Sequence, residues 1–294
     1  MLLLIFILLL GAGLYAWFVE PAQLVITNRK IAADGQVSGR FLFLSDLHLG
    51  RFTGASRLKK MILRLRLYLV EHPVDIILLG GDYLDSDSRY LPELALVLEA
   101  LRALELPTYA VLGNHDYLSC SPIDPLLQVL RDGGCIVLRN EAVSLTLNGK
   151  ALMLVGVDDL EEAPGYRNGL RFVRGFEYRE LTGKLDWYSS FDTANPSLPR
   201  LLLTHNPDSA YLPGLTPLGV LAGHTHGGQL LPIDLLGRFA TRLVHIFLPA
   251  GSFRTKAGQL QANGRKLIIS RGLGGSAIPA RFLRRPEAII IDIS

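Results

Sequence analysis

The chain has 294 residues, 49% hydrophobic and 19% charged, with a formal net charge of +3. Such a composition excludes disorder, collagen-like repetition and low complexity, and so small a net charge is too weak a footprint for nucleic acid. Two cysteines, Cys120 and Cys135, are too few for a disulfide framework or a thiolate zinc site.

The mean hydropathy of +0.29 owes much to the first residues. Met1 to Val19 carry no charged side chain, and the run stops at Glu20. Nineteen helical residues at ~1.5 Å each span about 28 Å, close to a ~30 Å hydrocarbon core. Tyr15 and Trp17 stand where an interfacial aromatic belt is expected. A cleaved leader is the rival reading. The run has no Lys or Arg before its apolar stretch and no clean A-x-A site, although Gly11-Ala12-Gly13 supplies small residues. The reading is therefore a transmembrane anchor over 1–19, a juxtamembrane segment over 20–40 and one large domain over 41–294. Arg29, Lys30 and Arg40 follow the span within the window where positive charge counts, which places the domain in the cytoplasm of a single-pass protein.

Leu24 to Ile31 and Phe41 to Leu44 read as strands. Ser56 to Glu71 carries Leu58, Met61, Ile62, Leu65, Tyr68 and Leu69 at gaps that mark an amphipathic helix. Asp75 to Leu79 is a fully apolar central strand, Pro92 to Leu104 a helix opened by proline, and Tyr109 to Leu112 the next strand. Pro122 to Arg131 is a helix stopped by Gly133-Gly134. Val143–Leu147 and Ala151–Val155 flank Asn148-Gly149, which predicts a hairpin with a type I′ turn. Leu185 to Phe191 is helix-like. Leu201–Leu203, Val220–Ala222, Leu267–Ser270 and Ala288–Ile293 read as strands, and 230–264 as a long excursion. Strand–helix alternation followed by hairpins predicts a four-layer α/β sandwich, two packed mixed sheets flanked by helices.

Chemistry gathers where the strands end. Phe41–Leu44 runs into Asp46-Leu47-His48, and Asp75–Leu79 into Gly80-Gly81-Asp82. Tyr109–Leu112 runs into Gly113-Asn114-His115-Asp116, Leu201–Leu203 into Thr204-His205, and Val220–Ala222 into Gly223-His224-Thr225-His226. Sites in α/β sheets lie beyond the carboxyl ends of strands. Five of the seven histidines fall in these motifs, and His72 and His245 do not. Carboxylate, amide oxygen and imidazole nitrogen suit Mn²⁺, Fe²⁺, Zn²⁺, Ni²⁺ or Co²⁺. Taken singly, each motif is an ordinary turn or a satisfied polar group. Five in order, each after an apolar strand, are not.

This series resembles the calcineurin-like metallophosphoesterase family. Gly223–Gln229, Arg271–Gly274 and Arg285–Glu287 are similar to runs in its membrane-anchored bacterial branch. That branch contains phosphodiesterases and enzymes that cleave UDP-2,3-diacylglucosamine in lipid A synthesis at the inner membrane. The resemblance implies two divalent ions, Mn²⁺ foremost. Asp46, His48 and His226 would bind the first, Asn114, His205 and His224 the second, and Asp82 both. His115 would act as general acid or transition-state stabiliser, oriented by Asp116, while a water activated by the ions attacks phosphorus. The implied partners are a phosphoester or pyrophosphate, a lipid among the candidates, and the bilayer. A general phosphodiesterase and a periplasmic nucleotidase are the alternatives. A catalytically dead scaffold would need ligand loss, and all seven positions are filled.

Substrate signals are diffuse. Arg57, Lys59, Lys60, Arg64 and Arg66 give the helix after Asp46 a basic face, suited to anionic lipid or simply to water. Leu235, Leu236, Phe239, Leu243, Ile246 and Phe247 make the excursion apolar, as an acyl groove or core packing would be. Segments 159–199 and 230–264 match no usable pattern.

Overall fold

Side-chain alternation along the apolar runs decides the layers. The structure is a computed structural model and describes residues 1–160, 197–211, 216–230, 256–276 and 278–294. Strand β1 spans Val25–Ile31, β2 Gly39–Leu44, β3 Ile76–Leu79, β4 Thr108–Ala110, β5 Cys135–Val137 and β12 Glu287–Ile293. They form one sheet in the order β1-β12-β2-β3-β4-β5. Within β2, Phe41 and Phe43 point to one face and Leu42 and Leu44 to the other, and Ile76/Leu78 against Ile77/Leu79 repeat this in β3. The leucine face is covered by helices α2 (Ala55–Glu71), α3 (Leu91–Arg102) and α5 (Asp124–Asp132), whose Leu58, Leu65, Leu94, Leu98, Leu126 and Leu130 complete that core.

The phenylalanine face meets a second sheet. Its strands are β6 (Glu141–Leu147), β7 (Lys150–Gly156), β8 (Arg200–Leu203), β9 (Gly219–Ala222), β10 (Gly258–Ala262) and β11 (Arg265–Ile269), ordered β10-β11-β9-β8-β7-β6. Leu152, Leu154, Leu201, Leu203, Leu221 and Ile268 pack against Phe41, Phe43 and Leu78, while Val155, Leu202, Val220 and Leu267 line the outer face. Both sheets are mixed. Strands β2 to β5 run parallel to one another, as do β7, β8, β9 and β11, while β12 opposes β2 and β6 opposes β7. Two packed mixed sheets with helices outside are the predicted architecture. The helix expected at 185–191 lies outside the described residues, as does the apolar run 235–247.

The hairpin turn is as predicted, with Asn148 and Gly149 at φ 49° and 78°. Two departures are informative. The motif Asn114-His115-Asp116 opens a helix of its own, α4 (Asn114–Ser119), separate from α5. Six residues are too few to show a helical period. Within the expected excursion, 258–262 is strand β10, paired antiparallel with β11.

At the N-terminus, helix α1 (Leu2–Leu14) continues through a π-helical turn, Tyr15–Val19, and a 3₁₀ turn, Glu20–Ala22. The whole, Leu2–Ala22, is 21 residues, long and apolar enough to cross a membrane, and Leu2–Leu14 buries no residue. Residues 20–40 carry β1 into the sheet, where Val25–Ile31 pairs in register with Glu287–Ile293.

Candidate metal centre

Parallel strands put their carboxyl ends on one edge, and there the five motifs converge. Asp46, His48, Asp82, His205, His224 and His226 are buried, with Asn114 at 7% exposure. Asp82 Oδ2 lies 3.3 Å from His48 Nε2 and 3.1 Å from His205 Nε2, between the two sheets' contributions. Asp46 Oδ1 is 3.5 Å from His226 Nε2 and 3.9 Å from His48 Nε2. His224 Nδ1 stands 3.2 Å from Asn114 Oδ1. The structure thus brings together all seven residues predicted as ligands, in two groups joined by Asp82.

The backbone does uncommon work here. Asp46, His48, Asp82, His224 and His226 all sit at positive φ, between 43° and 71°. A left-handed residue other than glycine costs ~1–2 kcal/mol, and Asp and His are among the side chains that tolerate it best. Five such residues at one strand edge mark strain concentrated where geometry has to be unusual. Hydrogen bonds between the loops hold it. His224 N donates to Asp46 Oδ1 at 3.0 Å, His115 N to Asp82 Oδ1 at 2.9 Å, and His205 Nδ1 to the Gly80 carbonyl at 2.7 Å. That last bond fixes a proton on Nδ1 and turns Nε2 toward the cluster. Gly113 is required: a Cβ there would collide with the Asp82 carboxylate.

The residues fit a metal pair. His226 Nε2 faces His48 Nε2 at 3.1 Å, and Asp46 Oδ2 is buried without a hydrogen bond. Lone pairs left so are costly unless a cation takes them. Among the described residues, four sets of acids and histidines have ligand atoms within 4.8 Å of one another: Asp46/His48/His226, Asp46/Asp82/His205, Asp159/His205/His224 and His48/Asp85/His115. Charge agrees. Burial opposes an imidazolium at His48, yet hydrogen bonds donated to the Asp82 and Asp85 carboxylates raise it to about 10, and Asp82 likewise outweighs burial to raise His205. Burial and the facing His48 charge hold His226 well below its ordinary value. Asp82 stays far below the carboxylate range because His205 and the other imidazoles outweigh its burial. In the bare protein, protons stand in for metal charge.

His115 is the partly exposed member, with its ring edge-on to His48 at 4.7 Å between centroids. Its Nδ1 is hydrogen-bonded to the Asp85 carbonyl, so Nε2 faces outward. Asp116 is buried and turned elsewhere. Its carboxylate accepts from Gly113 N and Asp82 N at 2.9 Å and Tyr83 N at 2.8 Å, locking the two loops together. Burial, with the Asp82 charge adding, pushes it up to about 7.

Two acids at this edge were not singled out in the sequence. Asp85 reaches His48 Nδ1 at 3.3 Å, and its signal is the spacing Gly81-Asp82-x-x-Asp85. Asp159, fully buried beside His205 and His224, follows β7 just as the other ligands follow their strands.

Comparison with known proteins agrees with this geometry. The family model of the calcineurin-like phosphoesterase matches residues 39–228. The chain is 32% identical over 288 residues to a metallophosphoesterase of Aquifex aeolicus, covering 97% of this chain and 96% of that one. It is 30% identical over 287 residues to phosphodiesterase YaeI of Escherichia coli, covering 95% and 92%. A transmembrane protein with metallophosphoesterase domain from Bos taurus is 29% identical over 258 residues, covering 84% of this chain and 51% of that one. The chain belongs to the calcineurin-like phosphoesterase family and is a metal-dependent hydrolase.

Proposed function

We propose that the chain is a membrane-anchored phosphodiesterase whose substrate is an amphipathic phosphodiester or pyrophosphate. Asp46, His48 and His226 would hold one divalent ion, Asn114, His205 and His224 the other, and Asp82 would serve both. Mn²⁺ is the expected metal. The observation that carries this reading is the cluster itself: seven buried acid, amide and imidazole groups, with His115 at their partly exposed side.

When bound, the ions supply Lewis acidity and an activated water. The chain supplies the rest. Asp82, with its backbone N–H held by the Asp116 carboxylate and its own carboxylate by His115 N, fixes the spacing of the two halves. His115, with its Nδ1 proton committed to the Asp85 carbonyl, is free to carry a second proton on Nε2. That proton is positioned for a departing alkoxide, and the resulting imidazole is reprotonated from solvent. A diester with a poor leaving group gains most from it.

The anchored, lipid-directed form of the reading draws on the apolar helix Leu2–Ala22, on the relative named as a transmembrane protein, and on Arg29, Lys30 and Arg40, which favour a cytoplasmic domain. UDP-2,3-diacylglucosamine is the candidate with two acyl chains and a pyrophosphate. The test is hydrolysis with Mn²⁺ of bis-p-nitrophenyl phosphate, the corresponding monoester, UDP-2,3-diacylglucosamine and UDP-glucose. Diesters and pyrophosphates should exceed the monoester, and acyl chains should raise kcat/KM. Preference for the monoester would favour the nucleotidase alternative, and indifference to acyl chains a general phosphodiesterase.

A further inference from the structure

We propose that the mouth of the metal site is held against the membrane surface by a docking collar of Arg51, Phe52, Leu283 and Arg285, seated in the headgroup–acyl boundary of an anionic leaflet around the end of helix 2–22. The proposal rests on the reading of that helix as a span.

The helix does not end in a loose linker. The Ala16 carbonyl accepts from Arg281 N at 2.8 Å. Glu20, 1% exposed, takes the backbone N–H of Leu283 at 2.9 Å and of Arg284 at 2.6 Å. The same short segment grips the loops that carry the metal ligands. The Arg281 guanidinium, itself buried, donates to the carbonyls of Arg271 at 2.8 Å and Gly274 at 3.1 Å, and Gly274 N donates to the Asp46 carbonyl at 2.7 Å. Arg284 Nε donates to the carbonyl of Gly227, the residue after His226, at 2.5 Å. One segment therefore clamps the helix end and both ligand loops, so the helix axis and the site have a fixed relation.

A second path runs along the other side. Trp17 meets Phe52 edge-on, with centroids 6.1 Å apart, and the Arg51 guanidinium lies 5.7 Å from the Phe52 ring. These residues follow His48-Leu49-Gly50, and the Leu49 carbonyl accepts from Asp85 N at 3.0 Å. Asp85 and His115 form the open side of the site, so the Phe52 loop borders its mouth.

The chemistry of the collar identifies its occupant. Phe52 and Leu283 are 43% and 57% exposed, and apolar area left in water costs ~25 cal/mol per Å². Leu283 moreover sits at φ 56°, a conformation that disfavours a branched side chain, so strain is spent to turn a leucine outward. Apolar side chains flanked by arginines, at the level where Trp17 would mark an interfacial belt, match the chemistry of an anionic bilayer surface. Continuity with the helix selects the bilayer over a protein partner, because the collar surrounds the point where the chain would leave the membrane. Substrate then enters from the plane of the leaflet.

The test places single cysteines at Phe52, Leu283, Arg285, Leu8 and Ile136 in the full chain, spin-labelled in vesicles of phosphatidylethanolamine and phosphatidylglycerol. Cys120 and Cys135 are buried, and hydrolysis of bis-p-nitrophenyl phosphate checks that each labelled chain is folded. Labels at 52 and 283 should be relaxed more by oxygen than by a water-soluble nickel chelate, as at Leu8, with 285 intermediate and Ile136 the reverse. Labels at 52, 283 and 285 that behave like Ile136 while Leu8 remains in the bilayer overturn the collar and leave the span standing. Leu8 behaving like Ile136 overturns both.

Discussion

Asp46 and His226 are braced by late chain, whereas His205 and the Asn114 loop are braced by the loop that ends β3. On the first side, Leu273 N and Gly274 N hold the carbonyls of Ser45 and Asp46, and Arg284 holds that of Gly227, all from the segment that also clasps helix 2–22. On the second, His205 bonds directly to Gly80 at the end of β3, and Asp116 ties Gly113 to Asp82 through three amides. One half of the centre inherits its geometry from the core. The other shares it: Asp46 N and His48 N donate to the Gly81 and Asp82 carbonyls at 2.9 and 3.0 Å, and only its late-chain brace can be disturbed without touching the core.

Asp82 belongs to both halves, so its removal is the severest challenge to the distinction. Asp82→Ala should lose both ions and at least ~10³-fold in turnover, beyond what one positioned electrostatic group contributes. Metal content by mass spectrometry decides it, and two ions retained would refute the shared position. His115→Ala lies outside both halves. It should keep two ions yet lower turnover ~10²–10⁴-fold, with a smaller loss for a substrate whose leaving group is a weak base.

The halves should come apart under milder changes. Gly272 has φ +71°, and a Cβ there would lie 2.5 Å from Asp46 Cβ, so Gly272→Ala presses directly on the first side. Asp159→Asn touches the second alone. Each should weaken one ion ~10–100-fold, the range for groups that support metal ligands, and leave the other unchanged. Competition titrations on both variants would show it. Equal weakening of both ions by either substitution would mean that the centre behaves as a single unit.

Much of this edge was legible because alternation and strand ends are written locally. Phe41-Leu42-Phe43-Leu44 announces a two-sided strand, and the acid or histidine after it announces the edge. What stayed hidden is non-local or too short. The helix Asn114–Ser119 has under two turns. Asp116 looks like a partner for its neighbour His115, and only folding brings its carboxylate to the amides of Asp82 and Tyr83. The left-handed conformations of Asp46 and His48 have no sequence period. The clasp of Glu20 on Leu283 and Arg284 joins residues more than 260 positions apart, and nothing local marks either end.

The smallest effect tests the charge held in common by the two halves. His48 on one side and His205 on the other both have their basicity raised, against the cost of burial, by Asp82, with His48 at about 10. A histidine whose folded value exceeds its unfolded one stabilises fully below about pH 6.5, and that stability is lost as pH rises through the folded value. The bare protein should therefore lose Tm between pH 7.5 and 8.5. In this window Asp116, at about 7, has already titrated, and Cys135, pushed to about 12 by burial, contributes nothing below its ordinary value of 9.0. His226, lowered by burial and by His48, acts in the opposite sense and only below its ordinary value, outside the window. Ligation needs neutral imidazoles, so ion binding releases protons and tightens as pH rises. The gap in Tm between Mn²⁺-loaded and chelator-treated protein should accordingly widen from pH 7.5 to 8.5. A bare protein whose Tm stays flat or rises there would show that the imidazoles are already neutral, and that Asp82 is not holding protons in place of metal.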